Sequence, residues 1–244
     1  YEGIAWSSNI YFFQASCGIL GENKGLGKDA EDSAARLGTY ARFFGLGQAT
    51  GIDIDAGEAD GLIPSKDQKA RDHSGSGFNK EDREWYYSDT CFMGIGQGDV
   101  SATPLQIARM TAAVANGGKL LTPTVVSEVV GPDGKTVRGA KVEAKQVPVN
   151  ASYLADIRRG MHESVGYGAG ARAQVAGLDV AGKTGTAEFF DKGVKYQHAW
   201  FTGFMPFDDP EVVVTVYFDL GVGGDKAAPV AGRIFDYFSQ HVKP

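Results

Sequence analysis

The 244-residue sequence lacks several patterns that would assign it to a functional class at once. It has no CxxC pair, no HExxH or H-x-H spacing, and no run of basic residues. These absences argue against a zinc site and against nucleic-acid binding, which needs clustered positive charge to meet the phosphates. No stretch approaches the roughly 18 to 20 apolar residues of a membrane span. Lysine and arginine number 24 against 30 acidic residues, which gives a net charge of −6.

Cysteine and histidine are both scarce. The two cysteines, Cys17 and Cys91, match no metal or redox spacing, and their pairing state is left open. Because Cys17 falls in an apolar stretch, we interpret it as a small buried hydrophobic residue. The four histidines are far apart along the chain, at His73, His162, His198 and His241. No metal or cofactor is therefore expected. His198 begins an aromatic strand and is interpreted as structural.

The hydrophobic content of 43% is enough for a substantial core. Thr103 and Pro104 predict a helix start, with Thr103 as the cap and Pro104 at the first helical position, and this helix should run to Ala115. Gly-rich, acidic and aperiodic sequence from about residue 45 to 90 predicts surface loops or a cleft wall. Gly131 to Gly134 should turn a hairpin between 124–130 and 135–138. Helical spacing predicts further helices at about 10–20, 30–44, 151–163 and 226–240.

The last third of the chain has the character of strands. Short apolar runs at 178–181, 198–204 and 211–219 are separated by turn residues, and strands joined this closely should be antiparallel neighbours. We therefore predict an α/β fold with an antiparallel sheet flanked by helices, plus a mainly helical subdomain. The helical and loop region should cover 1–175, and the strands with the final helix should cover 176–244.

The string from Gly177 to Thr184 satisfies the phosphate-loop pattern G-x-x-x-x-G-K-[ST]. That loop needs a strand before the first glycine and a helix starting at the lysine. Here strand-like residues lie between the glycines, and strand character continues to Phe190. We therefore interpret Lys183-Thr184-Gly185 as part of an edge strand, on which Gly185 lets a substrate backbone approach closely.

A second short motif, Ser7-Ser8-Asn9, directly precedes helical sequence. Its simplest interpretation is a helix cap. It also matches S-x-N, which occurs together with S-x-x-K and KTG in serine β-lactamases and penicillin-binding proteins. S-x-N and KTG are both present here, in that order.

Longer blocks strengthen this match. The chain resembles the class B high-molecular-weight penicillin-binding proteins, particularly the elongation type, along nearly its whole length. The resembling blocks are Phe44 to Gly47, Thr50 to Asp53, Gly61 to Ser65, Met93 to Gly98, Thr103 to Gln106, Ala181 to Glu188, His198 to Phe204 and Ala227 to Val230.

The resemblance implies a D,D-transpeptidase that forms an acyl-enzyme on D-Ala-D-Ala stem peptides and is acylated by β-lactams. Ser7 would relay protons, Asn9 would hold the substrate amide, and Lys183 would hydrogen-bond Ser7 and supply positive potential. Thr184 and Thr186 would bind the terminal carboxylate, with Gly185 between them. The backbone N–H of Thr186 would form half of the oxyanion hole.

The S-x-x-K motif of that family is missing. None of the thirteen serines has a lysine three residues later, and Ser33, with Arg36, comes nearest. We therefore expect a truncated or cleaved chain, the incomplete C-terminal part of one transpeptidase domain, inactive alone. The resemblance places the parent protein at the outer face of the bacterial cytoplasmic membrane, anchored by an upstream segment. Its implied partners are stem peptides, β-lactams and, through the upstream region, glycosyltransferase and elongation-complex proteins.

Two alternatives remain open from the sequence. A β-lactam sensor or hydrolase of the same fold would need a water-activating group that these motifs do not reveal. A non-catalytic homologue would keep the cleft only to bind peptidoglycan peptides or a partner protein.

Overall fold

A computed structural model describes residues 1–19, 22, 25–54, 57–140, 142–221, 223–224 and 226–242. The helices are α1 (Glu2–Ala5), α2 (Asn9–Cys17), α3 (Ala30–Phe43), α4 (Lys66–Asp72), α5 (Tyr87–Gly94), α6 (Pro104–Ala115), α7 (Ala151–Gly166) and α8 (Ala227–His241), with short 3₁₀ turns at Glu81–Arg83 and Ala171–Ala173. The strands are β1 (Lys119–Leu121), β2 (Glu128–Val130), β3 (Thr136–Gly139), β4 (Ala144–Gln146), β5 (Ala181–Asp191), β6 (Val194–Met205) and β7 (Val212–Gly221).

The predicted α/β fold with an antiparallel sheet is confirmed. Strands β5, β6 and β7 form the main sheet in that order, and both neighbouring pairs are antiparallel. Strand β1 pairs with β4, and β2 pairs with β3 in a separate hairpin. Among the described residues β5 therefore has a free edge, because only β6 pairs with it.

The two faces of the main sheet bury different helices. On one face Phe201 and Met205 of β6 pack with Ala231 and Phe235 of α8, all almost fully buried. On the other face Phe204 packs with residues of α6 and α7. This alternation follows from the two-residue period of side chains along a strand, and it fixes the sheet between helices.

All five predicted helices are present, although the first ends at Cys17. The predicted start at Pro104 is confirmed. Thr103 accepts a hydrogen bond from the backbone N–H of Gln106, whose side chain in turn accepts from the N–H of Thr103 at 2.8 Å. This reciprocal pair is a capping box. It depends only on residues three apart, so the sequence could reveal it.

The loop prediction for 45–90 was wrong in part, because α4 and α5 lie within it or begin there. Both helices are short, so their periodicity is weak, but each has a local start signal. Ser65 accepts from the N–H of Gln68 at the start of α4. Asp89 accepts from the N–H of Tyr86 at the start of α5, at 2.7 Å.

Two strand boundaries also need correction. Residues 178–180 precede the sheet, since β5 begins at Ala181, and only 128–130 of the predicted 124–130 segment is a strand.

The interpretation of Cys17 as a simple buried hydrophobic residue was wrong. Cys17 is buried, but it forms a disulfide with Cys91, which joins α2 to α5 across 74 residues.

No helix within the described ranges combines the length and apolar character that crossing a bilayer requires.

Candidate active site

Ser7 lies in the turn between α1 and α2, in a left-handed backbone conformation with φ of 53°. Non-glycine residues adopt this conformation rarely, so the surrounding packing must hold it. Helix α1 packs on α7, and the N–H of Ala169, in the turn that follows α7, donates to the carbonyl of Ala5 at 2.9 Å. Gly160 of α7 allows this approach, because an added Cβ there would lie 2.8 Å from the Cβ of Ile4. The position of Ser7 is thus set by the contact between α1 and α7.

The next two residues start α2. Ser8 is the N-cap, and its Oγ accepts a hydrogen bond from the N–H of Tyr11 at 3.3 Å. Asn9 is the first helical residue and is exposed. The capping interpretation of this motif is therefore correct for Ser8, while the Ser7 hydroxyl has a different partner.

That partner is Lys183 on β5. Its Nζ donates to Ser7 Oγ at 2.6 Å and to the carbonyl of Thr184 at 2.6 Å, and the first contact joins residues 176 apart. The contact between the two motifs that we predicted from the sequence is present. Burial lowers the pKa of the Lys183 amine to about 8, because removing it from water disfavours its charged form.

Lys183 and Gly185 face a cleft on the same side of the sheet. In the β5–β6 register Lys183 lies opposite Thr202, and Gly185 lies opposite Trp200. An added Cβ on Gly185 would sit 3.2 Å from the Cβ of Trp200. A larger residue at Gly185 would therefore project over the cleft floor beside Trp200.

The structure also rules out the phosphate-loop interpretation of this motif, because Lys183 lies within a strand and no helix begins there.

Thr184 and Thr186 present backbone groups to the free edge of β5. Along an antiparallel pair, residues alternately direct both backbone groups toward and away from the partner strand. Lys183 reaches the carbonyl of Thr184, and Gln97 Nε2 reaches the carbonyl of Thr186 at 3.4 Å. Both carbonyls therefore point outward, and the N–H of Thr186 points the same way. Thr186 Oγ1 accepts from the N–H of Gly224 at 2.8 Å, which leaves its hydroxyl hydrogen able to donate.

The cleft beside this edge has a volume of about 870 Å³. Its lining is mostly apolar, with the lysine and two threonines of β5 at one side. Representative lining residues are Ile95, Val100, Ile107, Lys183, Trp200 and Tyr217. An apolar cleft with a few convergent polar groups is typical of a ligand site.

His198 also lines the cleft, and several contacts hold its ring. Its Nδ1 lies 2.6 Å from the carbonyl of Asp219 and 3.0 Å from the hydroxyl of Tyr217. The ring stacks on Phe189 with centroids 4.3 Å apart. Burial and the hydrogen bond to Asp219 raise the pKa of Tyr217 to about 12. These contacts agree with the structural interpretation of His198.

The structure thus brings Ser7 together with Lys183 and places Thr184, Gly185 and Thr186 along the adjoining edge. Asn9 lies two residues from Ser7. Sequence reasoning gave no role to Tyr217, which lines the cleft, or to Gln97, which contacts the cleft residue Thr186. The block from Met93 to Gly98 contained Gln97, but only its spatial position next to Thr186 indicates a role.

Comparison with known proteins assigns this architecture to a family. Residues 2–236 match the family model "Penicillin binding protein transpeptidase domain", and the chain belongs to that family. It is 33% identical to the peptidoglycan D,D-transpeptidase MrdA of Haemophilus influenzae, over 97% of this chain and 36% of that protein.

Solved structures agree with this family assignment. The chain is similar to penicillin-binding protein 3 of Mycobacterium tuberculosis complexed with aztreonam, with 28% identity, a TM-score of 0.74, and coverage of 99% of this chain and 51% of that one. It is also similar to a chain from a structure of a peptidoglycan synthase complex that coordinates polymerization and crosslinking, with 31% identity, a TM-score of 0.75, and coverage of 100% and 37%. The chain spans about a third of the length of the curated relatives it matches.

Proposed function

We propose that the protein to which this chain belongs is a peptidoglycan D,D-transpeptidase that acts by serine acyl-enzyme chemistry and is acylated by β-lactams. The observation that carries the proposal is the 2.6 Å hydrogen bond between Lys183 Nζ and Ser7 Oγ, beside the free edge of β5. This hydrogen bond joins two short motifs, each of which is weak evidence alone. The likeness to a named D,D-transpeptidase supports the same reaction.

In this mechanism Ser7 and Lys183 move a proton to the leaving amide nitrogen. A hydroxyl held by a lysine can pass a proton only if the amine can change its charge state near the working pH. The pKa of about 8 for Lys183 meets that condition, since an ordinary lysine would stay charged. At pH 7 the amine is still mostly protonated, so it also attracts the carboxylate that stem peptides and β-lactams share.

The edge of β5 would bind the substrate. Thr184 and Thr186 both line the cleft at its β5 edge, where their hydroxyl groups can donate to one carboxylate. The outward N–H of Thr186 is placed to donate to a developing oxyanion, an interaction that contributes about 3 to 4 kcal/mol in other acyl transferases. Asn9, at the head of α2, would hold the substrate's amide.

The proposal places the attacking serine outside this chain, because none of the thirteen serines has the S-x-x-K spacing. Residues 1–244 would then be the C-terminal part of one transpeptidase domain. We expect this chain alone to show no labelling by fluorescent penicillin. A stoichiometric covalent adduct in intact mass spectrometry would contradict that expectation.

Family membership also supports a proposal about the cellular location and partners of the full-length protein. We propose that the full-length protein acts at the outer face of the bacterial cytoplasmic membrane, anchored by a segment outside this chain. One of the similar structures belongs to a synthase complex that coordinates polymerization and crosslinking. By extension, we propose a glycosyltransferase partner for the full-length protein.

The central test measures second-order acylation rate constants for a β-lactam in the full-length protein. Lys183→Ala should slow acylation about 100-fold or more, because proton transfer and electrostatic attraction are lost together. Thr186→Ala should slow acylation less than Lys183→Ala does, because the substitution keeps the backbone N–H of residue 186. His198→Ala is the matched control, since its contacts hold the cleft wall and do not reach Ser7. Near-parental acylation by Lys183→Ala, or a slowest rate for His198→Ala, would reject the proposed roles.

A further inference from the structure

Gln97 holds a position that its local sequence determines. Helix α5 ends in a motif in which the N–H of Gln97 donates to the carbonyl of Phe92 at 2.9 Å and the N–H of Gly96 donates to that of Met93 at 3.1 Å. Gly96 has φ of +72°, the left-handed conformation this helix ending requires. The backbone at Gln97 is therefore set by the helix end and does not depend on the Gln97 side chain.

Helix α5 is in turn fixed against α2, the helix that begins at Asn9. The disulfide between Cys17 and Cys91 joins the two helices. The side chain of Ser16 on α2 packs directly against Gly94 of α5, where an added Cβ would lie 2.1 Å from Ser16 Oγ. Gln97 follows α5, and Asn9 begins α2, so one tightly packed pair of helices positions these two residues.

From that position Gln97 Nε2 donates to the carbonyl of Thr186 at 3.4 Å. An extended peptide that pairs with a free sheet edge needs such outward carbonyls as acceptors for its own N–H groups. The carbonyl of Thr184 is covered by the charged Lys183 at 2.6 Å, whereas the contact from Gln97 is long and comes from a neutral amide. Charged donors form the stronger hydrogen bonds. Gln97 is therefore the donor that can be displaced.

We propose that Gln97 occupies the acceptor position on Thr186 in the free protein, and that an extended peptide substrate must displace its side chain to pair with β5. The inference rests on the proposed function for the identity of the peptide. Gln97 is a specificity-determining residue in this account: it competes with the substrate before any bond is broken, so it acts on substrate binding and leaves the chemical step unchanged.

The experiment uses the full-length protein and the peptide diacetyl-L-Lys-D-Ala-D-Ala. Binding is measured by calorimetry, and turnover by release of D-alanine. Gln97→Ala removes the side chain, and Gln97→Met keeps its length but has no N–H to donate. Gln174→Ala is the matched control, because Gln174 is an exposed glutamine that does not line the cleft.

Both Gln97 variants should bind the peptide about two- to fivefold more tightly, the range for loss of one weak competing hydrogen bond, with kcat changed less than twofold. The control should match the parent. In a structure of the peptide complex, Gln97 Nε2 should have left the carbonyl of Thr186.

Unchanged or weaker binding in both Gln97 variants, a loss of kcat in both, or a peptide complex that retains the contact between Gln97 and Thr186 would overturn the inference. So would the absence of peptide binding in parent and variants alike. If the parent binds the peptide without turnover while both variants bind more tightly, the inference stands and the transpeptidase proposal fails.

Discussion

Lys183 should destabilise the fold at neutral pH, and replacing it with methionine tests this without any assay of activity. Its pKa falls from 10.5 to about 8 on burial. Since one pKa unit corresponds to about 1.4 kcal/mol, holding the charged amine in the cleft costs about 3 kcal/mol. The cleft therefore holds a charge that lowers the stability of the fold, at the position where the proposed mechanism uses that charge.

The sign of the pH dependence follows from proton binding. Below pH 8 both the folded and the unfolded chain keep the proton, so the full cost is present. Between about pH 8 and 10.5 the unfolded chain binds more protons at this lysine than the folded chain, and stability therefore rises with pH. Above that window both forms are neutral and the cost is gone.

Lys183→Met removes the titrating group. Relative to the parent, the variant should lose about 2.5 kcal/mol of unfolding free energy between pH 7 and pH 10, because only the parent gains stability there. Urea unfolding followed by tryptophan fluorescence at pH 7, 8, 9 and 10 measures this difference. Taking the difference cancels the titration of all other groups. It also removes any constant effect of losing the hydrogen bonds to Ser7 and Thr184.

Lys145→Met is the matched control, because Lys145 is exposed on β4, away from the cleft. The difference in unfolding free energy between Lys145→Met and the parent should be the same at every pH. If the difference in unfolding free energy between Lys183→Met and the parent is also independent of pH, the Lys183 amine is not desolvated. The proposed proton relay would then lose its physical basis.

Two further perturbations test the scaffold. Cys17→Ser should lower the free energy of unfolding by about 4 kcal/mol, because the disulfide closes a loop of 74 residues, and dithiothreitol should reproduce the loss in the parent but not in the variant. A loss below about 1 kcal/mol would show that α2 and α5 hold together without it. Gln106→Leu should cost about 2 to 4 kcal/mol in urea unfolding, because Gln106 is fully buried and its Nε2 donates to the carbonyls of Gln48 and Asp60, both at 2.8 Å. An unfolding midpoint equal to that of the parent would show that water replaces these bonds.

Local features of the fold were accessible from the sequence because they depend on residues a few positions apart. The start of α6 at Pro104 is an example, since Thr103 and Gln106 cap it within one turn. The antiparallel order of β5, β6 and β7 followed in the same way from short connections. The two motifs could also be recognised from residue types, and their order along the chain matched one family.

Tertiary structure alone decided the contacts that join distant segments. Nothing in the spacing of Cys17 and Cys91 indicates their pairing, because it depends on how α2 packs against α5. The motif containing Lys183 could not reveal the lowered pKa, which arises from burial by the surrounding elements. The contact between Gln97 and Thr186 joins residues 89 apart and requires both a helix end and a sheet edge to be in place. Residue types thus determined which chemistry is available to this protein, whereas packing between remote segments decided which groups meet and how strongly each is perturbed.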